Sequence, residues 1–297
     1  MLTRYLLAGA CALVAGAAQA QHAALRATIA ELARAAAPAK VGVALRVLET
    51  NDTLSYHNQQ PYPMLSVFKL ALDMQVLHEV DRGRLRLAQP VRLTKADLPD
   101  PTGPLSNKYP AGHARLALHE LLTYMVTVSD NNACDKLLQL VGGPAQLTAY
   151  VRQLGIRPFV AEVSEAQMAA VWANQYRNWS YPSAQLDLLS QVYRQAALSK
   201  PSSQLLWQLL LGTSVGPQRL KGLLPAGTPV AHRTGTSATN AQGLSPALND
   251  VGVMLLPNGQ HVALAVFVAD SYADTAARER VIATIAKAVY DEFAHAH

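Results

Sequence analysis

The chain has 297 residues, half of them hydrophobic, and a formal net charge of +5 at pH 7. A chain of this length and apolar content can bury a core, either as one large domain or as two interleaved ones. Its lysines and arginines form no run, so a solvated surface of mixed charge is favoured over nucleic-acid binding.

The first twenty residues predict an export signal. Arg4 precedes an apolar run over residues 5–18, and Ala18-Gln19-Ala20 has the small-x-small form of a signal-peptidase site. The run is too short for a comfortable bilayer span and lacks a stop-transfer charge, and the residues before Cys11 match a lipoprotein signal poorly. We expect residues 1–20 to be a signal peptide, cleaved after Ala20, and the mature protein to be a periplasmic monomer without a membrane anchor.

Cysteine and histidine patterns argue against a disulfide and against a metal site. After cleavage Cys134 is the single cysteine, so no intramolecular disulfide can form. Its place in an apolar helical stretch favours a packing role. The nine histidines contain no HxxxH or HExxH pair, so no metal site is predicted.

Strand patterns occur near both ends of the chain. A helical stretch over residues 23–37 is followed by two strand-like runs, over residues 41–48 and 52–56. Near the other end, β-rich runs over residues 251–256 and 261–269 are joined by Pro257-Asn258-Gly259, a tight-turn sequence. The final helix has an apolar face at Ile282, Ile285, Val289 and Phe293.

Helical patterns dominate the middle of the chain, over residues 66–80, 119–128, 132–141 and 183–198. Strands at the ends with helices between them predict an α+β fold with a discontinuous lobe. We expect residues 21–59 and 216–297 to form an antiparallel sheet with flanking helices, and residues 60–215 to form an all-helical lobe. A cleft between two lobes is where a site usually forms.

Three short motifs carry polar residues suited to nucleophilic chemistry, and one isolated glutamate, Glu165, stands between the second and the third. The motifs are Ser66-Val67-Phe68-Lys69, Ser129-Asp130-Asn131 and Arg233-Thr234-Gly235. A serine needs a base and a stabilised oxyanion, and on a helix Lys69 shares a face with Ser66. The set and its order resemble class A serine β-lactamases, and the segment around Glu165 resembles their PER-like branch.

The resemblance implies a five-stranded antiparallel sheet, an all-helical lobe and an active site between them. It also implies hydrolysis of β-lactam antibiotics through an acyl-enzyme on Ser66, with Glu165 activating the water that deacylates it. Lys69 and Ser129 complete the implied catalytic set, although the base that deprotonates Ser66 stays open between Lys69 and Glu165. A β-lactam is the implied partner, and no cofactor or metal is implied.

Substrate-binding residues are implied by the same resemblance. Asn131 would bind the substrate side-chain amide, and the backbone N–H groups of Ser66 and Thr236 would form the oxyanion hole. Arg233 replaces the usual lysine, and its planar guanidinium could grip the substrate carboxylate with two bonds. The remaining implied contacts to that carboxylate are Thr234, Gly235 and Thr236, with Arg219 as a second cation.

Several positions depart from the common class A pattern. Ala166 stands where proline is usual, so a trans peptide is predicted after Glu165. Ala169 replaces a water-holding asparagine, and Thr102 replaces an aromatic gate residue. Two further positions exchange their usual residues, so that Asp135 and Asn178 could preserve a carboxylate–amide pair.

Two alternatives share the three motifs. A penicillin-binding D,D-peptidase lacks the loop glutamate, and a β-lactam sensor domain is acylated without turnover. Helix capping is a further explanation of Ser129-Asp130-Asn131. Glu165 favours the hydrolase, because a carboxylate that activates water releases the ester.

Overall fold

The computed structural model describes residues 22–294. The predicted signal peptide, residues 1–20, lies outside the described residues. Within them, the strands are β1 (Lys40–Val47), β2 (Thr53–Tyr56), β3 (Tyr62–Pro63), β4 (Pro90–Leu93), β5 (Ala114–Ala117), β6 (Phe159–Val160), β7 (Trp179–Ser180), β8 (Val230–Thr236), β9 (Ser245–Leu255) and β10 (His261–Ser271).

The α-helices of the same residues are α1 (Ala23–Ala35), α2 (Lys69–Asp81), α3 (Pro104–Lys108), α4 (Leu118–Thr127), α5 (Asn131–Leu140), α6 (Pro144–Gln153), α7 (Glu165–Ala170), α8 (Pro182–Tyr193), α9 (Lys200–Leu211) and α10 (Thr275–Ala294). Three 3-10 turns cover Leu65–Phe68, Lys95–Asp97 and Trp172–Tyr176. None of these helices combines the length and the apolar character that a bilayer span requires.

Five strands form an antiparallel sheet in the order β2-β1-β10-β9-β8. Ala44 of β1 lies opposite Ala265 of β10, and Thr236 of β8 lies opposite Leu248 of β9. β9 and β10 are buried along almost their whole length, because helices cover both faces of the sheet. The predicted α+β fold with a five-stranded antiparallel sheet is confirmed.

The two faces of the sheet belong to two hydrophobic cores. Alternate residues of a strand point to opposite faces, so Val43 and Leu45 pack with the terminal helices α1 and α10, including Ile29 and Ile285. Ala44, between them, belongs to the core of the central helices. The whole apolar face predicted for the last helix is buried in the first of these cores.

Helix α2 is enclosed on every side. Its residues 69–77 are all buried, including the ionisable Lys69 and Asp73 at 0% exposure. A buried helix normally carries only apolar side chains, so two buried ionisable side chains one turn apart identify the start of α2 as a special environment.

The central segment also contains short strands that the sequence analysis missed. β3, β7 and β6 form a three-stranded sheet, and β4 pairs with β5. Strands of two to four residues are too short to show the alternation that identifies a strand. Residues 60–215 are therefore mainly helical, and the prediction that they contain helices only was wrong in this detail.

Candidate active site

Ser66 lies in the 3-10 turn Leu65–Phe68, directly before α2. Leu65 has a positive φ of 47°, which is uncommon for a residue other than glycine. Asn249 of β9 holds this turn, because its Nδ2 donates to the carbonyl oxygens of Pro63 at 2.8 Å and Met64 at 3.2 Å. The sheet thus fixes the serine from one side.

Gly235 allows β8 to approach the same turn. A Cβ at this position would lie 2.3 Å from the carbonyl oxygen of Met64, far inside van der Waals contact. The glycine of the third motif is therefore required for the packing of β8 against the segment that carries Ser66.

Glu165 contacts both Ser66 and Lys69. Ser66 Oγ donates to Glu165 Oε1 at 2.9 Å, and the same carboxylate oxygen lies 2.9 Å from Lys69 Nζ. Lys69 also donates to the carbonyl oxygen of Ser129 at 3.0 Å and to Asn131 Oδ1 at 2.8 Å. The segments that carry Ser66, Ser129 and Glu165 therefore meet at the buried Nζ of Lys69.

Ser129 has a positive φ of 58° and precedes α5. Asp130, rather than Ser129, caps this helix: it accepts from the backbone N–H of Ala133 at 2.7 Å and also binds the N–H of Leu105 at 2.8 Å. Capping by Asp130 leaves Ser129 Oγ to accept from Arg233 Nη2 at 3.0 Å. Helix capping by Asp130 and the catalytic role that the resemblance implies for Ser129 are therefore compatible.

Asp135 fixes the start of α7. Its two oxygens accept from the backbone N–H groups of Glu165 at 2.8 Å and Ala166 at 2.9 Å. Burial raises the pKa of Asp135 although these bonds act in the opposite direction. Both cis peptides within residues 22–294 precede prolines, Pro38 and Pro158, so the predicted trans peptide between Glu165 and Ala166 is confirmed.

Asn178 supports the segment before α7. Its Oδ1 accepts from the N–H groups of Glu162 at 2.8 Å and Val163 at 3.0 Å, and its Nδ2 donates to the Val163 carbonyl oxygen at 2.8 Å. Asp135 and Asn178 make no hydrogen bond to each other. The predicted direct pair is replaced by two side chains that each bind the backbone of the same loop.

Arg233 is buried at 1% exposure and is bonded to protein acceptors. Its Nε donates to the Ser66 carbonyl oxygen at 3.0 Å, its Nη1 to the carbonyl oxygens of Met125 at 2.7 Å and Val126 at 2.9 Å, and its Nη2 to Ser129 Oγ. Burial lowers the pKa of Arg233. Since four of its five N–H groups are engaged, the expected two-bond grip on a substrate carboxylate does not fit this geometry.

Arg219 lies beside the carboxyl-terminal end of β8, next to Gly235 and Thr236. Its Nη1 donates to the carbonyl oxygens of Gly235 at 3.2 Å and Asn249 at 3.1 Å, its Nη2 donates to Thr236 Oγ1 at 2.7 Å, and its Nε lies 3.2 Å from Glu279 Oε1. Thr236 is exposed, whereas Arg219 is 4% exposed. The guanidinium of Arg219 thus holds the hydroxyl of Thr236, which is the one exposed residue of β8.

The backbone N–H of Thr236 lies on the open edge of the sheet. β8 is an edge strand, and Ser237 N–H bonds to the Ala247 carbonyl oxygen. Successive residues of an edge strand alternate between bonding the neighbour and facing outward. The preceding N–H, that of Thr236, therefore faces the open edge, on the side where the turn carrying Ser66 packs.

Ala169 and Thr102, two further departures from the common class A pattern, lie at exposed positions. Ala169 is exposed on α7 and offers no side-chain hydrogen bond. Thr102 is also exposed, and its hydroxyl donates to Asp100 Oδ1 at 2.8 Å. Asn132 is buried and binds the backbone N–H of Asp100 at 2.9 Å, which fixes the loop that carries Thr102.

Three supporting residues were missed by the sequence analysis: Asp73, Asn132 and Asn249. Each is a buried polar residue. Asp73 interrupts an apolar run between Leu72 and Met74, which was visible in the sequence, whereas Asn132 and Asn249 each lie beside another polar residue and give no such signal. Cys134 is buried and unpaired by a disulfide, and burial raises its pKa well above the usual value. Across the described part of the chain, no group of three or more His, Cys, Asp or Glu side chains is arranged for a metal ion.

A family model described as the "Beta-lactamase enzyme family" matches residues 24–293. Among curated proteins, the chain is 42% identical over 253 residues to the extended-spectrum β-lactamase PER-1 of Pseudomonas aeruginosa, covering 85% of this chain and 82% of the relative. It is 38% identical over 258 residues to the β-lactamase VEB-1 of the same species, covering 86% of each.

Solved structures give the same result. A β-lactamase from Chitinophaga pinensis is 42% identical with a TM-score of 0.87, covering 90% of this chain and 98% of that one. The TLA-1 extended-spectrum β-lactamase is 38% identical with a TM-score of 0.90, covering 92% and 99%. With two motifs and Glu165 meeting at Lys69 and the third motif bonded to both through Arg233, these similarities show that the chain belongs to the β-lactamase enzyme family, as a class A serine β-lactamase of the PER-like branch.

Proposed function

We propose that Ser66 is the nucleophile of this β-lactamase and that Glu165 serves both halves of the reaction. Ser66 Oγ attacks the β-lactam carbonyl carbon, the ring C–N bond breaks, and the acyl group stays on the serine as an ester. Water then hydrolyses that ester. The observation that carries the proposal is the contact of Glu165 Oε1 with both Ser66 Oγ and Lys69 Nζ, at 2.9 Å each.

Glu165 is the proposed acceptor of the Ser66 proton, because the hydroxyl already donates to it. Lys69 lies within 3.0 Å of three acceptors, on Ser129, Asn131 and Glu165. A neutral amine has only two N–H groups, so three short contacts favour the ammonium form. Lys69 would then stabilise charge instead of removing the proton.

The same carboxylate can direct water after acylation. The proton that Glu165 takes from Ser66 passes through Lys69, 2.9 Å away, towards Ser129 and the leaving nitrogen, which returns Glu165 to the carboxylate. Once Ser66 Oγ is part of an ester it no longer donates to Glu165, so the ionised Oε1 becomes free to bind the attacking water. This sequence of events supplies a position for the water although Ala169 offers no side-chain contact.

Ser129 is the proposed relay to the ring nitrogen. Its Oγ accepts from Arg233 Nη2 at 3.0 Å and lies 3.4 Å from Lys69 Nζ. Two neighbouring cations favour transfer of its proton to the leaving nitrogen, and Lys69 Nζ replaces that proton with the one that Glu165 took from Ser66. Arg233 therefore acts on the substrate through Ser129.

Substrate contacts are proposed at the two ends of the site. Asn131 would bind the side-chain amide of the substrate, and the N–H groups of Ser66 and Thr236 would hold the oxyanion. For the substrate carboxylate we propose Thr234 and Thr236 as hydrogen-bond donors, with Arg219 supplying positive charge beneath Thr236. Because PER-1 is named an extended-spectrum enzyme, oxyimino-cephalosporins are the proposed substrates.

Export is also part of the proposal. The leader over residues 1–20 would direct the chain to the periplasm, where a monomer divided into lobes at about residues 60 and 215 would meet the antibiotic. Expression from the full gene should give periplasmic protein whose intact mass corresponds to an amino terminus at Gln21. Protein retained in the membrane with its leader attached would contradict this part.

Turnover and trapping test the mechanism together. The wild-type protein should hydrolyse a chromogenic cephalosporin over many cycles. Glu165→Ala should lower kcat by about 10²–10⁴, the usual contribution of a general base, and should accumulate a covalent adduct visible by intact mass. Ser66→Ala should form no adduct.

Two results would contradict the mechanism. A single stoichiometric burst from wild-type protein would exclude turnover. An absence of adduct in Glu165→Ala, at substrate concentrations that saturate the wild type, would remove Glu165 from deacylation.

A further inference from the structure

Asp73 is a buried carboxyl without a hydrogen-bond partner. Its residue exposure is 0%, and neither Oδ1 nor Oδ2 is bonded to any group among the described residues. Buried polar groups are almost always hydrogen-bonded, and each exception calls for an explanation. Nothing in the residue roles proposed above uses this side chain.

Its position links it to the reacting groups. Asp73 follows Lys69 by four residues on α2, so the two side chains lie on one face of the helix. Arg233, on β8, and Lys69 are the charges that act on it. The next groups around these two cations are Cys134 on α5 and Glu165 on α7, and Asp250 on β9 also acts on Arg233.

Of the acidic groups that act on Arg233, Asp73 has the largest effect and Asp250, which is bonded to His232 and to the N–H of Leu220, the smallest. Lys69 and Arg233 are buried cations, and among the described residues Glu165 is the anion that contacts Lys69 directly. A guanidinium at position 233 stays charged where a lysine could lose its proton. A second buried carboxyl can compensate this charge, but only when it is ionised.

Burial decides when that happens. Desolvation raises the pKa of Asp73 to about 8, although Arg233 and Lys69 pull it down. At neutral pH the carboxyl is therefore mostly protonated, which also explains how it tolerates a site without donors. As the pH rises past this value, a negative charge appears behind Lys69.

We propose that Asp73 is a positioning residue of the hydrolytic reaction, which acts through Lys69 and Arg233 as an ionisable counter-charge inside α2. The proposal rests on the function proposed above, in which Lys69 works as an ammonium. At alkaline pH an ionised Asp73 places a negative charge close to Lys69 and Arg233 and so supports the contacts of Lys69 with Ser129, Asn131 and Glu165.

The pH profile of kcat for Asp73→Asn tests the proposal. At about pH 6.5 the asparagine and the protonated aspartic acid carry the same charge, so kcat should match the wild type. Above about pH 8 the variant lacks the counter-charge. The basic limb of its profile, meaning the fall of kcat at alkaline pH, should therefore begin at a lower pH than in the wild type. A shift of about half a pKa unit lowers kcat about threefold on that limb.

Met74→Leu is the matched control, since it changes a buried neighbour on the same helix without changing charge. Its basic limb should coincide with that of the wild type. Coincidence of the Asp73→Asn limb with both would overturn the proposal, because a merely structural role would lower kcat equally at every pH.

A direct titration keeps the test independent of turnover. Infrared difference spectra of wild-type protein should show a protonated carboxyl band that disappears around pH 8, and Asp73→Ala should lack this band. If the band does not titrate between neutral and alkaline pH, the proposal fails even where the enzyme is fully active. If the protein shows no turnover but the band titrates, the failure belongs to the proposed function.

Discussion

Arg233 shows how one replaced residue changes its surroundings. Its guanidinium donates to four acceptors, on the turn that carries Ser66, on α4 and on Ser129, which an ammonium with three N–H groups could not match. At this scale the site depends on the number and direction of donors as much as on charge.

Arg233→Lys should therefore lower the free energy of unfolding by about 1–3 kcal/mol, because at least one buried carbonyl of Met125 or Val126 loses its donor. Urea denaturation followed by circular dichroism measures this change. Arg115→Lys, at an exposed position, is the control and should stay within about 0.5 kcal/mol of the wild type. Equal effects of the two substitutions would contradict this account of Arg233.

At the scale of elements, the site exists because three of them converge. The 3-10 turn before α2 presents Ser66, edge strand β8 packs on that turn through Gly235, and α7 carries Glu165 on a first turn fixed by Asp135. The backbone of each element is held by close contacts, so the positions of Ser66 and Glu165 relative to each other are fixed. A displacement of one element should therefore impair catalysis more than stability.

Gly235→Ala should push β8 away from the turn, because its Cβ would lie 2.3 Å from the Met64 carbonyl oxygen. A misplacement of about 1 Å costs about 10²-fold in rate, so kcat/KM should fall by about that factor. Steady-state kinetics with a chromogenic cephalosporin measures it. Gly212→Ala, where a Cβ meets no atom closer than 3.4 Å, should keep kcat/KM near the wild-type value; a similar loss in both variants would contradict the packing argument.

At the scale of the whole molecule, His22 joins the two ends of the described chain. Its Nδ1 lies 2.6 Å from Glu292 Oε1 on α10, and its Nε2 lies 2.7 Å from Asp52 Oδ2 in the turn between β1 and β2. Burial lowers the pKa of His22, but the hydrogen bonds with Glu292 and Asp52 outweigh it and raise the value overall. The charged imidazole thus holds α10 to the sheet.

The stabilisation by His22 should depend on pH. Because its pKa is higher in the folded protein, the contribution is fully present below the unfolded value of about 6.5 and is lost as the pH rises through the folded value. The difference in unfolding free energy between wild type and His22→Gln should be larger at about pH 5.5 than at about pH 9. Urea denaturation at both pH values checks this, with the exposed His113→Gln as control; a difference that grows with pH would contradict it.

Local patterns in the sequence determined much of the architecture and the identity of the site. The strands β1 and β10 were predicted from apolar, β-rich runs and β2 from a short strand-like run, whereas the prediction of residues 251–256 covered only the second half of β9. The three motifs and Glu165 were singled out because their residue types and their order along the chain resemble those of class A β-lactamases. The short strands β3–β7 escaped prediction, since their pairing is imposed by tertiary contacts.

Only the tertiary structure decided how the charged groups share their partners. The sequence suggested that Arg233 grips a carboxylate and that Asp135 pairs with Asn178, whereas folding directs Arg233 to backbone carbonyls and each of the other two to the loop backbone. Hydrogen-bond partners far apart in the chain depend on distances and angles of a few tenths of an ångström. Residue types fix which bonds are possible, and the packing of the elements selects among them.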